Sequence, residues 1–225
     1  WIDLEAPTAD EVQQVAREFS IDPRVTEDML SPTPRPRAER YGEHVYVVLH
    51  FPVWKHTHQL SPHQEIDFVL SKKFIITAHY DTIDALHKYA KIFEVETILN
   101  KESLLDASSI FSHILTKLYK SVGYELEYLH DTLKQIEHKI FSGDERAMVA
   151  ELSRMSRECL SFKRALSLHD EILEGMKFMA SDLFRQLPEH LWASFQEYAR
   201  VADALDSRIE ELTELRETNN SLVST

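Results

Sequence analysis

Residues 187–225 read LPEHLWASFQEYARVADALDSRIEELTELRETNNSLVST, and apolar side chains recur in them at alternating spacings of four and three: Leu191, Phe195, Tyr198, Ala202, Leu205, Ile209 and Leu212. Arg216, Asn219 and Val223 continue the same positions. A seven-residue repeat of this kind keeps one stripe of a helix turned toward a partner, as in a coiled coil. A helix of about 33 residues reaches roughly 50 Å at 1.5 Å per residue, so the stretch predicts a rod. Pro188 stands where a helix start tolerates proline. Arg216 and Asn219 put polar groups on the seam, which fits a seam that opens onto water or one that specifies an oligomer; a frayed tail fits equally well.

Two further helical series lead up to the rod. The first runs Phe111, Leu115, Leu118, Val122, Leu126, Leu129, Leu133, Ile136 and Ile140, and the second Met148, Leu152, Met155, Cys159, Phe162, Leu166, His169, Leu173 and Met176. Ser142-Gly143-Asp144 between them offers a glycine for a helix end and an aspartate for the next helix start. Residues 101–186 therefore predict two long antiparallel helices, and 187–225 a stalk helix.

Residues 1–100 read differently. Trp1 to Glu5 alternates, Thr8 to Phe19 carries Val12, Val15, Ala16 and Phe19 on one helical face, and Asp22-Pro23 closes that helix. A short helix is expected over Thr26 to Leu30, and the proline-rich Ser31 to Pro36 must be extended. Val45 to Val53, Glu65 to Leu70 and Phe74 to His79 predict strands, with Ser71-Lys72-Lys73 as the turn between the last two. Asp81 and Asp84 then open a helix reaching about Val95, since the helix dipole favours acids in a first turn. The expected fold is α+β: an α/β/α sandwich with a mixed sheet, followed by the long antiparallel helices and the stalk.

Composition narrows the chemistry. The four glycines lie far apart in the 225 residues, so no Gly-rich phosphate loop or G-x-S-x-G elbow can be written. Cys159 is the only cysteine, which excludes an intrachain disulfide and a Cys-based zinc ribbon and predicts a small buried hydrophobe. With 38 acidic against 25 basic side chains, the net charge of -13 repels phosphate backbones and anionic headgroups and favours cations, so no nucleic acid is expected as a partner. No apolar run approaches the roughly 20 residues that span a bilayer. The chain starts at Trp1, and its helical pattern continues to the end without a stop signal, which predicts a piece of a longer protein.

At this point several stretches resemble the cytosolic part of the CorA family of magnesium and cobalt transporters: Trp1-Ile2-Asp3-Leu4, PRVTED at 23–28, Arg35-Pro36-Arg37-Ala38-Glu39, FIITAH at 74–79, and LRETNNSLVST at 215–225. The family's Gly-Met-Asn motif and its two membrane helices are absent from these residues, as expected if the chain stops before the first of them. The resemblance implies a funnel-like homopentamer at the cytoplasmic face of the inner membrane, anchored by membrane helices that follow, with the third long helix running toward the pore. It implies a transporter rather than an enzyme, and no nucleophile–base spacing argues otherwise.

Mg2+ keeps several of its waters and takes oxygen ligands, so a site for it needs only a few carboxylates. Two groups qualify: Asp81 and Asp84, and the stalk acids Asp203, Asp206, Glu210, Glu211, Glu214 and Glu217. The resemblance implies a regulatory Mg2+ between Asp84 of one subunit and Glu210 on the stalk of its neighbour, with Asp81, Asp206 and Glu211 close by and Co2+ as another ion served. Read alone, the first group caps a helix and the second is a solvated face. A zinc-transporting branch of the same superfamily is the alternative, for which His56, His58 and His63 would offer Zn2+ ligands, although an exposed polar loop is the plainer reading. His169 is expected to be a satisfied core or interface histidine, and Asn219 and Asn220 helix surface. A soluble coiled-coil scaffold is the remaining rival.

Overall fold

The computed structural model describes residues 1–52, 64–99 and 106–224. Five strands, β1 (Ile2–Glu5), β2 (Arg37–Tyr41), β3 (His44–Phe51), β4 (Gln64–Leu70) and β5 (Ile75–His79), form one sheet in the order β1-β5-β4-β3-β2. β1 runs parallel to β5 and every other pairing is antiparallel, so the sheet is mixed as expected. β3, β4 and β5 are buried almost residue for residue because both faces are covered. Val45, Val47, Leu49, Ile66, Phe68 and Ile75 face the long helices. Tyr46, Val48, Val69, Ile76 and Ala78 face α1 (Ala9–Phe19) and α2 (Pro23–Asp28).

α1 begins with a reciprocal cap: the Glu11 amide donates to the Thr8 hydroxyl at 3.3 Å, and the Thr8 amide to Glu11 Oε2 at 2.8 Å. α2 starts earlier than its apolar residues suggest. Pro23 does not merely end the preceding segment but opens α2, with Asp22 Oδ1 accepting from the Arg24 amide at 2.9 Å. β2 is not announced by the sequence, because Arg37, Glu39 and Arg40 give it no apolar alternation. It pairs with β3 through a two-residue turn in which Gly42 takes φ +60°, a position glycine fills without strain.

α3 (Asp84–Leu99) begins at Asp84 and extends beyond Val95. Asp81 therefore lies outside it, in the turn after β5, where its carbonyl accepts from His79 Nδ1 at 2.7 Å. α4 (Ala107–Lys139) and α5 (Glu145–Leu166) are joined by Ile140–Asp144, and Gly143 turns the chain at φ +98°. Asp144 makes no side-chain cap bond. The second apolar series is not one helix: it breaks at Ser167-Leu168, and α6 (His169–Met179) follows with no glycine or proline to announce it.

α7 (Leu187–Val223) is the expected rod, and its seam is covered by its own chain. Ser112 meets Ser194 and His130 meets Glu211, so α7 runs alongside α4 in the same direction. Lys163 meets Asp206 and Ser156 meets Arg216, so it runs opposite to α5. Leu191, Val201, Leu205, Leu212 and Leu215 fill the resulting groove, each burial contributing about 1.5–3 kcal/mol. Cys159 is buried there too, and burial pushes its thiol up to about 11, as an inert core residue requires.

His169 ties the helices to the sheet. It is fully buried; its Nε2 donates to the His50 carbonyl at 2.9 Å, which leaves Nδ1 to accept from the Tyr119 hydroxyl at 2.9 Å. Phe51 packs edge-on at 5.0 Å and Tyr198 stacks at 6.2 Å between ring centroids.

Burial pushes the His169 imidazole down to about 3. An unfolded histidine binds its proton near pH 6.5, so between these values the unfolded chain holds a proton that the folded one does not. The contribution is complete above about pH 6.5 and declines as pH falls toward 3, by up to tenfold in the unfolding constant per pH unit. Replacing His169→Gln, which keeps a donor and an acceptor, should flatten that part of the acid slope when urea unfolding is compared at about pH 7 and about pH 5. In α4, the nearest atoms to a Cβ at Gly123 belong to the far end of the long Arg200 side chain, the closest 3.0 Å away, and that end pairs with Glu197 on the surface and can give by a few tenths of an ångström. Gly123→Ala should therefore stabilise the helix by about 0.5–1 kcal/mol, read as a raised Tm.

Candidate functional site

The acids of α7 divide by direction. At 100° per residue, Asp203, Asp206, Glu210, Glu214 and Glu217 fall within about 80° of one another and opposite the apolar seam, forming one outward stripe. Asp203, Glu210 and Glu217 stand one heptad apart, about 10.5 Å along the axis. All five are exposed. Glu211 lies nearer the seam and is half-buried against α4.

Two of the five candidate ligands are already engaged. Lys163 Nζ donates to Asp206 Oδ1 at 2.9 Å. Glu211 Oε2 lies 3.1 Å from Arg208 Nη1 and 3.3 Å from His130 Nδ1. The spacing of three between Arg208 and Glu211 was readable in the sequence, whereas the Lys163 contact joins residues 43 apart and was not.

Asp84 is exposed in the first turn of α3, where the helix dipole favours its charge. It lines a groove between α3 and α4 together with Lys88, Lys117, Lys120, Tyr124 and Glu125. Lys120 is drawn toward α7, 3.8 Å from Glu197. Among the described residues Asp84 and Glu210 make no ion pair, and both remain available to a cation.

Asp81 contributes its carbonyl to the fold before it contributes anything else. Burial opposes a charge on His79, yet hydrogen bonds from its ring to Asp3 and to the Asp81 carbonyl outweigh that and raise it above the ordinary histidine value. The imidazole thus clasps the turn from β5 to α3 to the edge strand β1, with Nε2 3.3 Å from Asp3 Oδ1.

A single protomer does not bring the two groups of acids together. Asp84 lies on α3, which packs on α4, and Glu210 on the outward face of α7. Among the described residues no three His, Cys, Asp or Glu side chains are placed to hold a metal ion. His56, His58 and His63 lie outside the described residues. Asn219, expected on the helix surface, is instead buried on the seam, with neither amide atom hydrogen-bonded among the described residues. Among the described residues no helix is long and apolar enough to cross a membrane.

The family of CorA-like Mg2+ transporter proteins matches residues 1–225. The cobalt/magnesium transport protein CorA of Thermotoga maritima is 24% identical over 229 residues, which cover 100% of this chain and 61% of that protein. The chain thus spans about three fifths of that relative's length. The complete structure of the CorA magnesium transporter from Methanocaldococcus jannaschii superposes with a TM-score of 0.83 at 16% identity, covering 99% of this chain and 69% of that one. The ZntB cytoplasmic domain from Vibrio parahaemolyticus superposes at 0.78 with 10% identity, covering 97% and 85%. At such identities the solved structures establish the fold: a mixed sheet on long helices, common to both. Matched along its whole length, the chain belongs to the family of CorA-like Mg2+ transporter proteins, which are transporters and not enzymes.

Proposed function

We propose that this chain is the cytosolic, metal-sensing part of a divalent-cation transporter that carries Mg2+, with Co2+ as a second ion. In this reading residues 1–100 form a regulatory α/β domain, 101–186 the antiparallel helices, and 187–225 the stalk leading to membrane helices at the cytoplasmic face of the inner membrane. Five copies assemble around the stalk. The observation that carries the reading is the acidic stripe of α7, which lies opposite the apolar seam and, apart from Asp206 on Lys163, is free to meet the Asp84 edge of a neighbour.

Asp84 and Glu210 are the ligands this reading favours, because both are exposed and unpaired among the described residues. Asp206 and Glu211 would first have to leave Lys163 and Arg208. Asp81 sits close enough in sequence to serve through water. With Mg2+ scarce, facing carboxylates on adjacent subunits repel and loosen the ring; a hydrated Mg2+ between them cancels the repulsion and favours the closed state. Carboxylates without histidine or thiolate suit Mg2+ over Zn2+, which is why the zinc-transporting alternative ranks second.

A ligand that binds only the folded assembly raises its stability in proportion to RT ln(1 + [L]/Kd). Titrating Mg2+ should therefore raise the Tm of the chain. The Asp84→Asn and Glu210→Gln variants should lose most of that rise, with a metal-free Tm no lower than that of the wild type because the repulsion between the facing carboxylates is gone, whereas Asp206→Asn should lose little. An undiminished Mg2+ response in the double variant removes these two residues from the site.

A further inference from the structure

The sheet face under α1 and α2 carries a buried acid pair remote from the α7 stripe. Glu65 and Asp67 stand two apart on β4, so strand alternation places both on this face. Both are buried, Asp67 completely. Glu65 is well supplied with donors: the Thr33 amide reaches its two oxygens at 2.8 and 2.9 Å, the Thr33 hydroxyl reaches Oε1 at 3.1 Å, and His50 Nε2 lies 3.2 Å from Oε2. Asp67 is not. The Tyr46 hydroxyl donates to its Oδ2 at 2.9 Å, while Oδ1 is buried with no hydrogen-bond partner among the described residues.

An orphaned acceptor in a core is unfavourable, but a carboxyl oxygen that carries a proton is a donor, and Glu65 is the acceptor beside it. The surrounding charges agree. Among the described residues Arg37 on β2 is the nearby fixed cation, with its guanidinium over the Tyr46 ring at 5.6 Å, and it already serves Asp28 of α2 and Glu39. Tyr46 and His50 face the pair from β3, and Tyr80, after β5, donates to the Asp28 carbonyl at 3.4 Å. One shared guanidinium cannot neutralise Asp28, Glu39, Glu65 and Asp67 together. Burial, and after it the charge of Glu65, hold the Asp67 carboxyl well above the ordinary carboxylate range.

We propose that Asp67 is a neutral carboxylic acid whose Oδ1–H donates to the Glu65 carboxylate, so that one stored proton fastens the Ser31–Pro36 linker, through Thr33, to the centre of the sheet. Removing the proton leaves two adjacent buried carboxylates that repel. The Thr33 clamp is the part that yields, since it belongs to a segment without regular structure. The fastening is thus sensitive to alkali, and it lies on the sheet face opposite the long helices.

The test compares urea unfolding of the full chain with that of Asp67→Asn, whose amide keeps the shape and donates to Glu65 as the acid would. The folded chain holds a proton that the unfolded chain releases above about pH 4, so the wild type should lose stability relative to the variant as pH rises. The expected change is up to about tenfold in the relative unfolding constant per pH unit from about pH 5 to the pH at which the folded carboxyl gives up its proton. A difference that is independent of pH, or a wild type that gains stability relative to the variant as pH rises, overturns the proposal. If Asp67→Asn does not fold, the infrared spectrum of the wild type decides: a protonated-carboxyl C=O band at neutral pH supports the stored proton, and its absence overturns it.

Discussion

A helix of 37 residues with one apolar stripe cannot stand in water unless something covers the stripe along its length. Here α4 and α5 provide the cover, one running with α7 and the other against it. Much of the architecture follows from that requirement. α4 must be nearly as long as α7, the turn at Gly143 must send α5 back, and the sheet closes the end where α4 and α6 meet it through Phe111, Tyr119 and His169. With the seam committed inward, the acids on the opposite side of α7 have no choice but to face out.

How much of this could be read beforehand depends on how locally each feature is determined. The α7 and α4 series were legible because a helix repeats its buried position every three or four residues, and β3, β4 and β5 because strands covered on both faces are rich in apolar and β-branched residues, even with Glu65 and Asp67 inside β4. β2 was not legible, since an edge strand needs only backbone pairing with β3 and its side chains are free to be charged. The break at Ser167-Leu168 was not legible either; it is set by the sites into which His169 and Leu173 pack, not by a residue that disfavours helix. The same distinction governs the site. The sequence locates the acids, but only the packed helices show that Lys163 already holds Asp206 and that Glu210 stands alone.

Distant relatives show the same division between burial and charge. A chain 16% identical to the archaeal transporter shares its fold at a TM-score of 0.83. What such distant sequences can hold in common is the period of burial, not the residues that satisfy it, because cores accept many apolar side chains of suitable volume. Charge is less constrained by packing, so the position of an unpaired carboxylate on an outward face says more about use than the identity of any core leucine.

The packing of α7 along two neighbours has a mechanical consequence. A helix braced over most of its length bends little and behaves as a lever, about 55 Å long at 1.5 Å per residue. Tilting such a lever by about 5° about its base carries its far end through about 5 Å, roughly one helical turn. A small tilt set at the sheet end would arrive at the C-terminal end of α7 magnified to the height of a helical turn.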